Sequence, residues 1–136
     1  MMRISLLGST GSIGTNTLDV VRRYPDRYRI AGLSAGCNID LLAAQVREFR
    51  PRLVALSNGA AVEQFRGLLA GCGTEILQGP EGACTVASMP EADIVVAAIS
   101  GSAGLPPTYA AVQAGKTIAL ANKETLVMAG GLIMPE

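Results

Sequence analysis

The chemistry open to this chain starts with seven residues near its beginning, Gly8-Ser9-Thr10-Gly11-Ser12-Ile13-Gly14. They follow an apolar, strand-like run and lead into an amphipathic segment. In that setting the spacing G-x-x-G-x-x-G builds a phosphate cradle. The first glycine permits a tight turn, the second lets a pyrophosphate approach the backbone, and the third lets helix and strand pack closely. The helix start adds free N–H groups and the positive end of its dipole, and Thr10 and Ser12 add hydroxyls. A purely structural strand-to-helix turn is the alternative, but the flanking strand, the helix and the opening position favour a dinucleotide. No Lys followed by Ser or Thr closes the motif, so a Walker-type nucleoside triphosphate loop is disfavoured.

About 20 residues further on, an NAD-selective domain places Asp or Glu against the ribose 2′-hydroxyl. Here the chain reads Leu33-Ser34-Ala35-Gly36-Cys37-Asn38. Without a carboxylate nothing repels a 2′-phosphate, and Ser34, Asn38 and the backbone around Gly36 offer donors, so NADP(H) is preferred over NAD(H). Asn38 also suits a helix cap, and no Arg or Lys stands at the expected place. Two further loops carry candidates. Ser100-Gly101-Ser102-Ala103-Gly104 is small enough to admit a nicotinamide or a substrate, or else is a tight connection into a proline-started helix. Asn122-Lys123-Glu124 brings a paired donor and acceptor, a compact cation and a carboxylate. Alone it would be a solvated helix start; beside the other three loops it is predicted to belong to the site.

These loops need elements to hold them. Continuous Ile-, Val-, Leu- and Ala-rich runs at Arg3 to Leu7, Tyr28 to Ser34, Arg52 to Ser57, Thr74 to Leu77, Asp93 to Ser100 and Thr117 to Ala121 predict six strands buried on both faces. Helices are predicted between them: Ser12 to Tyr24, ended by Pro25, Asn38 to Phe49, and Pro106 to Ala114, with Val62, Phe65 and Leu69 marking another. Gly79 to Met89 is a less defined one. The β-α-β-α order predicts an α/β fold, Rossmann-like and doubly wound, with a largely parallel sheet. All four candidate loops then fall at strand carboxyl ends, where open α/β sheets bind ligands.

Composition narrows the function classes. The chain has 136 residues, 49% hydrophobic and 16% charged, enough for one domain. With no His, neither a Ser-His-Asp system nor a histidine metal site can be built. Eleven basic and eleven acidic residues cancel and aromatics are few, which argues against nucleic acid. Three Cys without a C-x-x-C pair suit reduced thiols, with Cys72 and Cys84 as small apolar fillers. The arginines at 22, 23, 27 and 29 are expected on a solvated face. Glu91 and Asp93 lie at a strand's amino end, the wrong end for metal ligands. No signal segment or membrane-length apolar run is present, so a soluble, cytoplasmic protein is expected.

Several blocks in one order, Gly8 to Gly14, Thr17-Leu18-Asp19-Val20-Val21, Ala35-Gly36-x-Asn38, Gly101-x-Ala103-Gly104-Leu105 and Gly115-Lys116-Thr117-Ile118-x-Leu120-Ala121-Asn122-Lys123-Glu124, resemble the 1-deoxy-D-xylulose 5-phosphate reductoisomerase family. The resemblance covers essentially the whole chain. It implies an NADPH- and divalent-metal-dependent oxidoreductase (Mg or Mn) of the non-mevalonate route to isoprenoids. Such an enzyme rearranges 1-deoxy-D-xylulose 5-phosphate and reduces the product with hydride to 2-C-methyl-D-erythritol 4-phosphate. By matching position, Thr10, Gly11, Ser12 and Ile13 would hold the cofactor pyrophosphate, and Gly36, Cys37 and Asn38 would lie near the 2′-phosphate. Asn122 and Glu124 would contact NADPH, and Lys123 the substrate.

Cys37 stands where members often carry Lys or Arg, which removes an ionic grip on that phosphate. The family also continues into a catalytic domain with acidic metal ligands and a helical C-terminal domain. Residues 1–136 are therefore expected to be the NADPH-binding domain alone, inactive by itself, from a protein that is a homodimer at full length. Two other readings remain: the nucleotide domain of another NADP-dependent dehydrogenase, of the homoserine or aspartate-semialdehyde type, and a non-catalytic nucleotide-binding module.

Overall fold

Short apolar runs bury their backbone groups only by pairing them, and here they pair into one sheet. The computed structural model describes residues 1–36, 38–99, 105–121, 126–128 and 131–133. In chain order the elements are β1 (Met2–Leu7), α1 (Ser12–Arg23), β2 (Tyr28–Ala35), α2 (Ile39–Phe49), β3 (Leu53–Leu56), α3 (Val62–Leu68), β4 (Glu75–Gln78), α4 (Gly79–Ser88), β5 (Ile94–Ala97), α5 (Leu105–Gln113), β6 (Thr117–Ala121), β7 (Leu126–Met128) and β8 (Gly131–Ile133). A 3-10 turn at Gly59–Ala61 leads into α3. The sheet order is β4-β3-β2-β1-β5-β6-β7-β8. The first six strands pair in parallel, while β6 with β7 and β7 with β8 are antiparallel. The α/β, largely parallel fold expected from the sequence is what forms, extended by two short antiparallel strands that were not foreseen.

Alternation along the strands sorts side chains into two cores. Ile4, Leu6, Leu33, Val54, Leu56, Ile94 and Val96 meet Leu18 and Val21 of α1, Leu42 and Val46 of α2, and Phe65 of α3. On the opposite face Leu7, Ala31, Leu53, Ala55, Val95 and Ile118 meet Val86 and Ala87 of α4 and Ala111 of α5. Each fully buried Leu or Phe contributes roughly 1.5–3 kcal/mol. The second face is made of smaller residues because α4 lies close to it. A Cβ at Gly32 would stand 2.8 Å from the Met89 sulfur and 2.9 Å from Val86 Cγ1.

The chain walks from β1 outward to β4 and then returns across the sheet through α4 to lay β5 on the other side of β1. This reversal opens a crevice between the carboxyl ends of β1 and β5. Strand β5 is shorter than the predicted Asp93 to Ser100. Asp93 is occupied at its entry by Arg3, whose backbone N–H donates to its carboxylate at 2.9 Å. Beyond Ala97, Ala98 N–H still reaches Leu7 O at 2.9 Å before strand geometry ends.

Candidate functional site

The glycine-rich loop leaves β1 at Gly8, which holds φ +82, a conformation that strains any residue with a Cβ. A side chain there would also meet Ala98 O at 2.7 Å across the crevice. At Gly14 a Cβ would collide with the Gly8 carbonyl and approach Ser9 Cα to 2.7 Å, so this glycine is what lets α1 sit against the loop. Gly11 is different. Its Cβ would meet nothing nearer than Gly8 O at 3.8 Å, and its φ of −77 suits any residue. The fold does not need a glycine at 11, and the space beside its backbone is open to a ligand.

Gly11 is also the N-cap of α1, and no side chain caps that helix, nor does an acidic residue stand in its first turn. The first N–H groups of a helix have no intrahelical acceptor, so they and the dipole remain available to an anion. By contrast α2 is closed by Asn38, whose side chain accepts from Leu41 N–H at 3.3 Å. The turn before α3 is closed by Asn58, which accepts from Ala60 N–H at 3.1 Å. The protein side of the loop is tied down. Ser34 O accepts from Gly8 N–H at 2.8 Å and Ser9 N–H at 3.0 Å, and Gln45 of α2 donates to Ser9 O at 2.9 Å.

A cleft of about 420 Å³ opens beside this loop. Gly8 and Gly11 border it from β1, Ser34, Ala35 and Gly36 from β2, Ala55 and Ser57 from β3, and Ala98 and Ile99 from β5. Pro80 and Ala83 of α4 and Pro106 and Pro107 of α5 complete it. It therefore sits at the reversal of strand order, the ligand position of open α/β sheets. None of these residues is charged. Attraction for an anion must come from backbone N–H groups, the α1 dipole and the Ser34 hydroxyl, which has no partner among the described residues; the Ser57 hydroxyl donates to Ala35 O at 3.1 Å. At Gly36 a Cβ would find only Ser57 Oγ, at 3.8 Å, so the end of β2 is open too.

The perturbed ionisable groups lie at the opposite edge of the sheet. Arg22 in the last turn of α1 binds Glu48 of α2 with contacts of 2.5 and 2.8 Å, also pairs with Asp19, and stacks on Phe49 at 5.4 Å. The hydrogen bond to Glu48 raises the Arg22 pKa above its ordinary value and lowers that of Glu48. Asp93 is lowered by its backbone and side-chain bonds from Arg3. Arg22 is thus a strap between helices rather than a merely solvated cation. Glu91 pairs with Arg52 at 3.0 Å. Among the described residues no group of three or more Cys, Asp or Glu side chains could hold a metal ion, and no helix is long and apolar enough to cross a membrane.

Of the residues singled out in the sequence, the structure brings Gly11, Ser34 and Gly36 to one cleft. Thr10, Ser12 and Ile13 share the loop and helix start without lining the cleft itself, and Asn38 caps α2. Cys37, the loop Ser100 to Gly104, and Asn122, Lys123 and Glu124 lie outside the described residues. Sequence reasoning missed Ser57, Pro80, Ala83 and the buried Gln45. Ser57 and Pro80 carry a usable signal, since one follows β3 and the other opens α4 on the carboxyl edge, whereas Ala83 lies inside α4.

The chain was compared with known proteins. Residues 4–130 match the family model described as 1-deoxy-D-xylulose 5-phosphate reductoisomerase. The enzyme of that name from Geotalea uraniireducens is 54% identical over 134 residues, covering 98% of this chain and 35% of the relative. That from Chlorobaculum tepidum is 55% identical over 133 residues, with the same shares. A crystal structure of DOX-P reductoisomerase in complex with NADPH, fosmidomycin and magnesium superposes with a TM-score of 0.86 at 44% identity, covering 90% of this chain and 30% of that one. The chain spans about a third of the length of the curated relatives it matches. On the match over residues 4–130, the chain belongs to the 1-deoxy-D-xylulose 5-phosphate reductoisomerase family.

Proposed function

We propose that this chain is the NADPH-binding domain, residues 1–136, of a reductoisomerase that converts 1-deoxy-D-xylulose 5-phosphate to 2-C-methyl-D-erythritol 4-phosphate in non-mevalonate isoprenoid biosynthesis. The observation that carries the reading is Gly11. It is a glycine with open space where a side chain would be, at the uncapped start of α1 and on the rim of an uncharged cleft. NADPH supplies the hydride when bound; the chain supplies the cradle. Thr10, Gly11, Ser12 and Ile13 hold the pyrophosphate, Gly11 by letting it approach the backbone and Thr10, Ser12 and Ile13 through N–H groups and hydroxyls. Gly36, Cys37 and Asn38 receive the 2′-phosphate, where the cleft presents no carboxylate to repel it. Asn122 and Glu124 contact the cofactor and Lys123 the phosphorylated substrate, in keeping with their place after β6.

We place the catalytic groups and the ligands of a magnesium or manganese ion in the stretch of the relatives beyond what this chain spans. The 136 residues alone are then expected to bind cofactor without turning over substrate. The full-length protein is read as a cytoplasmic homodimer, without nucleic-acid or membrane partners. The relatives found give no support to a homoserine or aspartate-semialdehyde dehydrogenase, or to a non-catalytic module. Titration of the chain with NADPH and NADH, followed by cofactor fluorescence, tests the reading. NADPH should bind at least about tenfold tighter, on the order of 1.4 kcal/mol; tighter binding of NADH overturns it.

A further inference from the structure

Gln45 is the least expected residue behind the glycine-rich loop. It is a primary amide on α2, only 5% exposed, surrounded in sequence by the core residues Leu42, Ala43 and Val46. A helix that only needed packing there would carry an apolar side chain, because a buried polar group costs stability unless its bonds are made. Half of this one is made: Nε2 donates to Ser9 O at 2.9 Å, while Oε1 has no partner among the described residues. The arrangement therefore sacrifices some stability to place one donor under one carbonyl.

The identity of that carbonyl matters. The Ser9–Thr10 peptide is trans, so its C=O and its N–H point in opposite directions. Holding Ser9 O inward against Gln45 keeps the Thr10 N–H on the outer side of the loop. That N–H has no acceptor among the described residues, whereas those of Gly8, Ser9 and Gly11 are all engaged by protein carbonyls. A flipped peptide would instead present a carbonyl oxygen, with its negative partial charge, to an approaching phosphate.

We infer that Gln45 is a positioning residue for the cofactor pyrophosphate. Its amide fixes the Ser9–Thr10 peptide so that the Thr10 N–H faces the anion, coupling α2, whose start lies at the 2′-phosphate end, to the glycine-rich loop. The inference rests on the proposed binding of NADPH. It assigns Gln45 no contact with the nucleotide.

The test compares two probes, NADPH and adenosine 2′-monophosphate, which lacks the pyrophosphate. Gln45→Met keeps the length and removes the donor. It should weaken NADPH binding at least tenfold and leave adenosine 2′-monophosphate within twofold of wild type. An NADPH affinity within twofold of wild type, or an equal loss for both probes, overturns the role of Gln45. A wild-type chain that binds neither probe overturns the cofactor reading itself. A second measurement needs no variant. In the ¹H–¹⁵N spectrum of the wild-type chain, NADPH should shift both the Thr10 amide and the Gln45 side-chain amide, and adenosine 2′-monophosphate should shift neither. Gln45 resonances unmoved by NADPH while Thr10 moves overturn the coupling.

Discussion

The carbonyl of Gly8 occupies the space that a Cβ on Gly14 would need, whereas three residues earlier Gly11 faces no such obstacle. The two glycines therefore answer to different demands, Gly14 to folding and Gly11, on the proposed function, to the cofactor. Gly14→Ala should cost about 1–3 kcal/mol, as overpacking does. Gly11→Ala should leave stability within about 0.5 kcal/mol and weaken NADPH at least about tenfold. Urea denaturation and cofactor titration of both variants separate the two effects.

Asn38 offers a comparable separation on the other side of the cleft. Its side chain caps α2 at Leu41 N–H, and Asp caps as well as Asn. Asn38→Asp should hold stability within about 0.5 kcal/mol, yet bring a carboxylate to where a 2′-phosphate is proposed. NADPH affinity should then fall relative to NADH by at least about tenfold, measured as the ratio of the two dissociation constants.

Ser5 tests how α4 is fastened. Its hydroxyl, fully buried on β1, donates to Val86 O at 2.8 Å, one of the last carbonyls of α4 and so without an intrahelical partner. Ser5→Ala strands that carbonyl and should cost about 1–3 kcal/mol. NADPH affinity should not change, because the bond lies beneath the sheet face away from the glycine-rich loop. Chemical denaturation with a cofactor titration checks both.

The strap between α1 and α2 gives a pH dependence. The Arg22 guanidinium holds the Glu48 carboxyl below its ordinary pKa. Its contribution to stability is thus complete above the ordinary carboxylate value and is lost as pH falls through the lowered one. Both partners are substantially exposed, so the contribution at pH 7 is at most about 1 kcal/mol. Wild type should exceed Glu48→Gln by that margin at neutral pH. The difference should vanish in acid, and a constant difference from pH 7 to 3 would exclude the ion pair as its source.

The six parallel strands were legible as apolar runs between breakers, α2 and α3 because apolar residues recur at helical spacing, and α1 and α5 because prolines mark an end or a start; α4 was read only as a less defined helix. Strands β7 and β8 were not, since three residues each are too few for a period. Gly11 was legible as a motif member, but only coordinates separate it from Gly8 and Gly14, whose neighbours Ala98 and Ser9 fill the space a side chain would need. Ser57 was missed because a serine at the end of β3 acquires meaning only when β3 is known to lie next to β2. Gln45 left a fainter trace, a polar residue on the stripe defined by Leu42, Val46 and Phe49. Arg22 looked like one of several surface cations until the packing of α1 beside α2 brought Glu48 to it.

The return of α4 across the sheet carries one more consequence, for the order of assembly. Ile4 pairs with Ile94 and Leu7 with Ala97, so the two walls of the crevice are contributed by segments 90 residues apart. A chain that has formed only β1, α1, β2 and α2 already owns its glycines, its helix start and its Gln45 tether, yet has no opposing wall. Closing so long a loop is entropically costly and is rewarded only when β5 docks. On the proposed function, cofactor binding would report completed topology rather than local structure, and NADPH would act as a thermodynamic lock on the β1–β5 pairing, the longest-range strand pairing among the described residues.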